Sequence, residues 1–137
     1  MIVNPLNWDQ YFMSMAEVAA SKSKDPSTKV GCLIVDENNH IVSTGYNGFP
    51  AGFNDTHKRW QKPEKYSYVC HSEMNALIHS VVPVKNCKMY TTMYPCDNCA
   101  KYIANSGIKE IIYKEEAYKN EVSELIFKEC GIIVRKI

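Results

Sequence analysis

The chain has 137 residues, with 45% hydrophobic and 23% charged side chains and a net charge of +1. These values suit one globular domain spanning residues 1–137, and no run reaches the roughly 20 apolar residues of a membrane span. The near-zero charge and the lack of a long basic run argue against a polynucleotide partner. The start, Met1-Ile-Val-Asn-Pro5, has neither the basic nor the apolar segment of a secretory signal, so a cytoplasmic, reducing location is expected.

In chain order, Asp9 to about Ser23 reads as an amphipathic helix with Phe12, Ala16, Ala19 and Ala20 on one side. The turn-rich Ser23-Lys-Asp-Pro-Ser-Thr-Lys29 ends it. Val30–Asp36 and Ile41–Tyr46 read as an antiparallel hairpin about a turn at Glu37–His40. Asn47–Tyr68, with two glycines and two prolines, reads as a long irregular loop of the kind that often carries function. His71 to about Val81 is a predicted helix, stopped by Pro83, and Lys88–Thr92 a strand. Pro95 opens a helix to Ser106 that Gly107 closes. Ile108–Tyr113 is a strand, and Asn120–Cys130 a helix with Val122, Leu125, Ile126 and Glu129 at helical spacing. Ile132–Val134 is the last strand. The order αββαβαβαβ implies an α/β fold, a three-layer α-β-α arrangement about a mixed five-stranded sheet.

Six cysteines occur. A disulfide framework is disfavoured without a secretory signal. Cys32, Cys87 and Cys130 fall in or beside apolar segments and read as small buried hydrophobes. Cys96 and Cys99 differ, because their spacing puts both thiols on one face of a helical turn, where they can share an ion.

With His71 they make three tetrahedral zinc ligands and leave a fourth position for water, the mark of a catalytic site. Both motifs start predicted helices, where free N–H groups and the helix dipole favour thiolate. Glu73, two residues from His71, faces another side of its helix. It suits the role of a base that takes a proton from bound water and passes it to a leaving group. His-x-Glu followed by Pro-Cys-x-x-Cys is the pattern of zinc nucleobase deaminases. A redox Cys-x-x-Cys pair would leave His71 and Glu73 without a role. A structural zinc site would need a fourth ligand, for which Cys70 is the nearest candidate. His40, His57 and His79 show no partner spacing and read as surface or loop residues.

Across nearly its whole length the chain resembles the deoxycytidylate (dCMP) deaminases of the cytidine deaminase-like superfamily. The resemblance rests on Ser23-Lys-Asp-Pro-Ser-Thr-Lys-Val-Gly31, Gly45-Tyr-Asn-Gly-Phe-Pro50, Cys70-His-Ser-Glu-Met-Asn-Ala76, Tyr94-Pro-Cys-Asp-Asn-Cys-Ala-Lys101 and Ser106-Gly-Ile-Lys-Glu-Ile-Ile-Tyr113. It implies hydrolysis of dCMP to dUMP and ammonia, with activated water attacking C4 and Glu73 serving N3 and the departing amine. It also implies Asn47 on the sugar, Val30 beside the base, backbone near Ser72, Tyr94 and Pro95 on the base edge, and Tyr118 toward the phosphate. Read as residues alone, Asn47 also fits a turn residue, Val30 a core residue and Tyr118 an exposed loop aromatic. The same resemblance implies a homo-hexamer activated by dCTP and inhibited by dTTP, with Mg2+ accompanying the triphosphate. Lys22, Lys24, Lys29, Asn47 and Gly48 would be parts of that effector site; alone, the lysines also read as a solvated basic loop. Ser72 departs from the usual alanine of His-Ala-Glu. The competing readings are a zinc deaminase of another substrate, such as dCTP, a pteridine-like ring or adenosine in tRNA, and a non-catalytic zinc or nucleotide-binding module.

Overall fold

The computed structural model describes residues 4–137; Met1 to Val3, the start of the N-terminal segment read above, lie outside them. Helix α1 is Trp8–Ala20. Asn7 caps it reciprocally: its Oδ1 accepts the Gln10 N–H at 2.8 Å and Gln10 Oε1 accepts the Asn7 N–H at 3.1 Å. The helix ends before Ser23, whose hydroxyl is spent on the Asn47 carbonyl at 2.8 Å. Its buried face is Phe12, Met13, Ala16 and Ala20, so Met13 takes the place expected of Ala19.

The hairpin forms as β1, Gly31–Val35, and β2, Ile41–Tyr46. Two short 3-10 turns, Lys58–Trp60 and Glu64–Ser67, lie in the loop that follows. Helix α2 is Ser72–His79, shorter than its pattern. Ser80 turns extended, and Val81 is left 94% exposed ahead of Pro83. Strand β3 is Lys88–Met93, α3 Asp97–Ser106, β4 Glu110–Glu115, α4 Glu121–Glu129 and β5 Ile133–Lys136. The sheet order is β2-β1-β3-β4-β5, antiparallel across its first three strands and parallel across its last three.

Alternation in the strands sorts the core into two layers. Leu33, Val35, Tyr90 and Ile112 meet Phe12, Met13 and Ala16 of α1 on one face. Cys32, Ile34, Met89 and Ile111 meet Ala76, Ile103 and Phe127 of α2, α3 and α4 on the other. Both parallel crossovers step the same way along the sheet, so their common handedness puts α3 and α4 on the same face. The three-layer mixed-sheet expectation holds, with one helix on one side and three on the other.

Two expectations fail in α4. Its buried stripe is Ser123 and Phe127, four apart, while Val122 and Leu125 are exposed. Asn120 sets this rotation by capping the Ser123 N–H at 2.9 Å, which turns Ser123 inward. Cys130 is also exposed, because it stands at the C-cap where the chain turns away through Gly131 at φ +70. Cys32 and Cys87 are buried as expected.

Gly45 sets how closely α2 approaches the sheet. A Cβ there would lie 2.3 Å from the Ser72 carbonyl oxygen and 2.5 Å from the Ala76 nitrogen, both backbone atoms that cannot swing aside. Gly45→Ala is therefore expected to cost about 1–3 kcal/mol of stability, or roughly 4–12 °C in melting temperature. At Gly48 the nearest atom to a Cβ is 3.9 Å away. Gly48→Ala should leave the melting temperature near wild type, so equal losses in the two variants would refute the contact argument.

Candidate active site and metal centre

Strand direction gathers one end of the sheet into a site. Strands β3 and β4 are parallel and finish there; β1, antiparallel to β3, begins there, and β2 ends there. Val30, Asn47, Met93 to Cys96 and Tyr118 thus come together from loops at the carboxyl ends of β3 and β4, where ligands bind in open α/β sheets. Gly48 and Cys70 pair across an isolated bridge, with N–H to O distances of 3.1 and 2.7 Å. That bridge carries the chain entering α2 to the same end.

His71 is the N-cap of α2 and makes no side-chain cap bond, which leaves its ring to face the two cysteines. Cys96 is the N-cap of α3, its sulfur accepting the Cys99 N–H at 3.5 Å; Pro95 precedes the cap and does not begin the helix. His71 Nδ1 lies 3.4 Å from both sulfurs, and the three ligand atoms fall within 4.8 Å of one another. Bond lengths of about 2.3 Å to sulfur and 2.05 Å to nitrogen give a tetrahedral edge of about 3.6 Å, so this donor set fits a zinc ion. Among the described residues no other group of three such side chains converges. Hydrogen bonding from the Cys99 thiol, and the neighbouring His71, hold the Cys96 thiol down to about 4. Cys99, holding the proton that Cys96 accepts and buried besides, is pushed up. His71 is raised chiefly by its hydrogen bond to Cys96. This proton-sharing cluster is the kind that a dication displaces protons from.

Glu73 stands in the first turn of α2 and is 4% exposed. Burial raises its carboxyl above the usual range, against a hydrogen bond from the Ser72 hydroxyl. Glu73 lines the same cleft as His71 and Cys96. Ser72 is fully buried. The alanine-to-serine departure therefore adds a direct partner for Glu73.

A concave cleft opens above these groups. Val30, Asn47, Ser72, Tyr94 and Tyr118 line it, as do Asp25, Thr28, Lys65, Tyr66, Val69 and Met93, which sequence reasoning did not single out. Pro95 is buried and is not on the wall. The Tyr94 ring packs edge-on against Tyr113 at 4.8 Å, and its N–H is spent on the Glu115 carbonyl at 2.7 Å. Tyr118 is 47% exposed at the mouth. The Lys65 and Asp25 side chains, 5% and 3% exposed, form a buried ion pair at 2.8 Å. Burial pushes the Asp25 carboxyl up, but bonds from Lys65 and from the Ser27 and Thr28 N–H groups outweigh it and hold it below its ordinary value. Removing one partner of such a pair costs about 3–5 kcal/mol. Asp25 sat within a recognised segment; Lys65 carried no signal, because its partner is 40 residues away.

A second hollow adjoins the first and shares Asn47. Lys22, Lys24, Gly48, Phe49 and Trp60 line it, and Lys29 does not. Phe49 stacks on Trp60 at 4.0 Å, and Lys24 meets Asp55 at 2.6 Å on the exposed rim.

Residues 6–115 match the family described as the cytidine and deoxycytidylate deaminase zinc-binding region. The deoxycytidylate deaminase of Mus musculus is 42% identical over 96% of this chain and 80% of its own length. That of Homo sapiens is 40% identical over the same shares. The dCMP deaminase of cyanophage S-TIM5, solved in complex with dCMP and dUMP, superposes with a TM-score of 0.82 at 27% identity, covering 98% of this chain and 100% of its own. With the convergent His-Cys-Cys donor set and the five-stranded sheet that presents it, these matches mean that the chain belongs to the cytidine and deoxycytidylate deaminase family.

Proposed function

We propose that residues 1–137 form one catalytic domain that hydrolyses dCMP to dUMP and ammonia, supplying dUMP for thymidylate synthesis. The observation that carries this reading is the buried Glu73, which shares one cleft wall with His71 and Cys96 of the converging metal-ligand set. The close relatives named as deoxycytidylate deaminases support the substrate.

His71, Cys96 and Cys99 hold zinc, which when bound supplies a water acidic enough to serve as a nucleophile near neutral pH. Glu73 takes the proton of the attacking water and delivers it to cytosine N3, then moves a second proton to the departing amine. The Ser72 hydroxyl holds Glu73 in place for both transfers. Val30 walls the base. Backbone at Ser72, in the first turn of α2 where N–H groups lack intrahelical acceptors, reads its edge together with Tyr94 on the cleft wall; Pro95, off the wall, takes no part. Asn47 meets the sugar, and Tyr118 at the open mouth lies toward the phosphate.

The second hollow is the effector site in this reading, taking dCTP as activator and dTTP as inhibitor through the Lys22 and Lys24 cations, with Asn47 and Gly48 in its wall. Lys29, exposed and off that wall, takes no part in it. Magnesium enters as the counter-ion of the triphosphate, without a protein site of its own. Exposed Ile78 on α2, Val81 and Val82 after it, and Val122 and Leu125 on α4 offer apolar surface for a homo-hexamer. No helix among the described residues is long and apolar enough to cross a membrane; in this reading the enzyme is cytoplasmic.

A substrate panel tests this. Ammonia release is expected with dCMP and at least tenfold less with deoxycytidine, CMP or dCTP as substrates. Added dCTP should raise, and dTTP lower, the rate at sub-saturating dCMP. Preference for any other member overturns the dCMP assignment, and a rate unmoved by both triphosphates overturns the effector site.

A further inference from the structure

We propose that Lys65 and Asp25 are positioning residues that fix the Asn47 amide so that it meets the substrate sugar as a hydrogen-bond acceptor. The proposal rests on the deaminase reading above. Lys65 Nζ donates to Asp25 Oδ1 at 3.0 Å, to Asp25 Oδ2 at 2.8 Å and to Ser27 Oγ at 2.8 Å. An ammonium has three donors, so Lys65 has none left for a substrate phosphate although it lines the cleft. Its work is internal: it neutralises Asp25 and clasps the loop after β2 to the Ser23–Thr28 turn.

Asp25 in turn orients Asn47. Its Oδ2 accepts from Asn47 Nδ2 at 3.3 Å, and the Thr28 carbonyl accepts from the same nitrogen at 2.9 Å. Asn47 Oδ1 accepts the Val30 N–H at 2.8 Å. An ionised carboxylate and a carbonyl only accept. A flipped amide would face oxygen against both of them and its NH2 against the Val30 N–H. The orientation is therefore forced, both amide protons are used, and the one unspent valence is a lone pair on Oδ1. Asn47 can accept from a ligand hydroxyl and cannot donate to a ligand. A 2′-deoxynucleoside 5′-monophosphate carries a single sugar hydroxyl, at C3′, so that is the group this amide would select.

The test compares dCMP with 2′,3′-dideoxycytidine 5′-monophosphate in wild type, Lys65→Met, Asp25→Asn and the double variant, with zinc content measured for each. Wild type should favour dCMP in kcat/KM by roughly 10–100-fold, the value of one hydrogen bond left unmade. In the variants that ratio should fall at least fivefold, mainly through a higher KM for dCMP, with zinc retained. Where a single variant does not fold, the double variant, which leaves neither charge unpaired, gives the reading. Equal losses on both substrates, the pattern of a merely structural wall, would overturn the relay, as would a wild type indifferent to the 3′-hydroxyl. Turnover of dCMP with an unmoved ratio defeats the relay alone; absence of dCMP turnover in wild type defeats the deaminase reading and the relay with it.

Discussion

Glu73→Gln is expected to lower kcat for dCMP by roughly 10²–10⁴-fold, the usual worth of a positioned general acid–base. The substitution preserves shape, and an amide oxygen still accepts from the Ser72 hydroxyl that Glu73 engages. Fold and zinc content should therefore stay at wild-type levels. Removing a buried carboxyl whose ionisation burial opposes also relieves a desolvation cost, so the melting temperature should not fall. Ammonia release, metal analysis and thermal melting on one preparation check all three. A Gln variant with more than a tenth of wild-type kcat would sink the proton-transfer role, and a zinc-free variant would mean that Glu73 acts on the metal site instead.

The second large effect is expected at Cys99. It is buried, 3.4 Å from His71 Nδ1, and donates its backbone N–H to Cys96. Apparent zinc affinities of about 10–16 kcal/mol for four-ligand sites assign each ligand roughly 3 kcal/mol. Cys99→Ala should thus weaken zinc by roughly 10²–10³-fold, dropping the metal from about one per chain to near zero after mild chelation. Activity should fall to the level of zinc-stripped wild type. In wild type, apparent zinc affinity should fall as the solution is acidified through the titration of His71, which its hydrogen bond to Cys96 holds above the ordinary imidazole value, because protons and metal compete for the same imidazole and thiolates. A Cys99→Ala protein that keeps both zinc and activity would remove it from the ligand set.

The ligand set was legible because its information is local. Three-residue spacing at a helix start brings two sulfurs together whatever the rest of the chain does, and the strand and helix patterns around it are equally local. His71 was legible from its motif, but its approach to the sulfurs is tertiary: α2 settles against β2 beside the Gly48–Cys70 bridge and over the bare surface of Gly45. In α4 the pattern misled. Val122 and Leu125 are as apolar as the residues that are buried, and the Asn120 cap decided which face turned inward.

By itself the sequence determined the order of elements, the mixed sheet, the metal-ligating residue types and the adjacent acid–base, since each depends on periodicity or on spacing within one turn of chain. Only the tertiary structure decided what surrounds them. Lys65 finds Asp25 across 40 residues, Ser72 turns its hydroxyl to Glu73, and Asn47 spends all but one of its hydrogen-bonding positions on its own neighbours. Such pairings are set by strand direction and by where a loop closes, and a buried polar group takes the partner that burial leaves within reach.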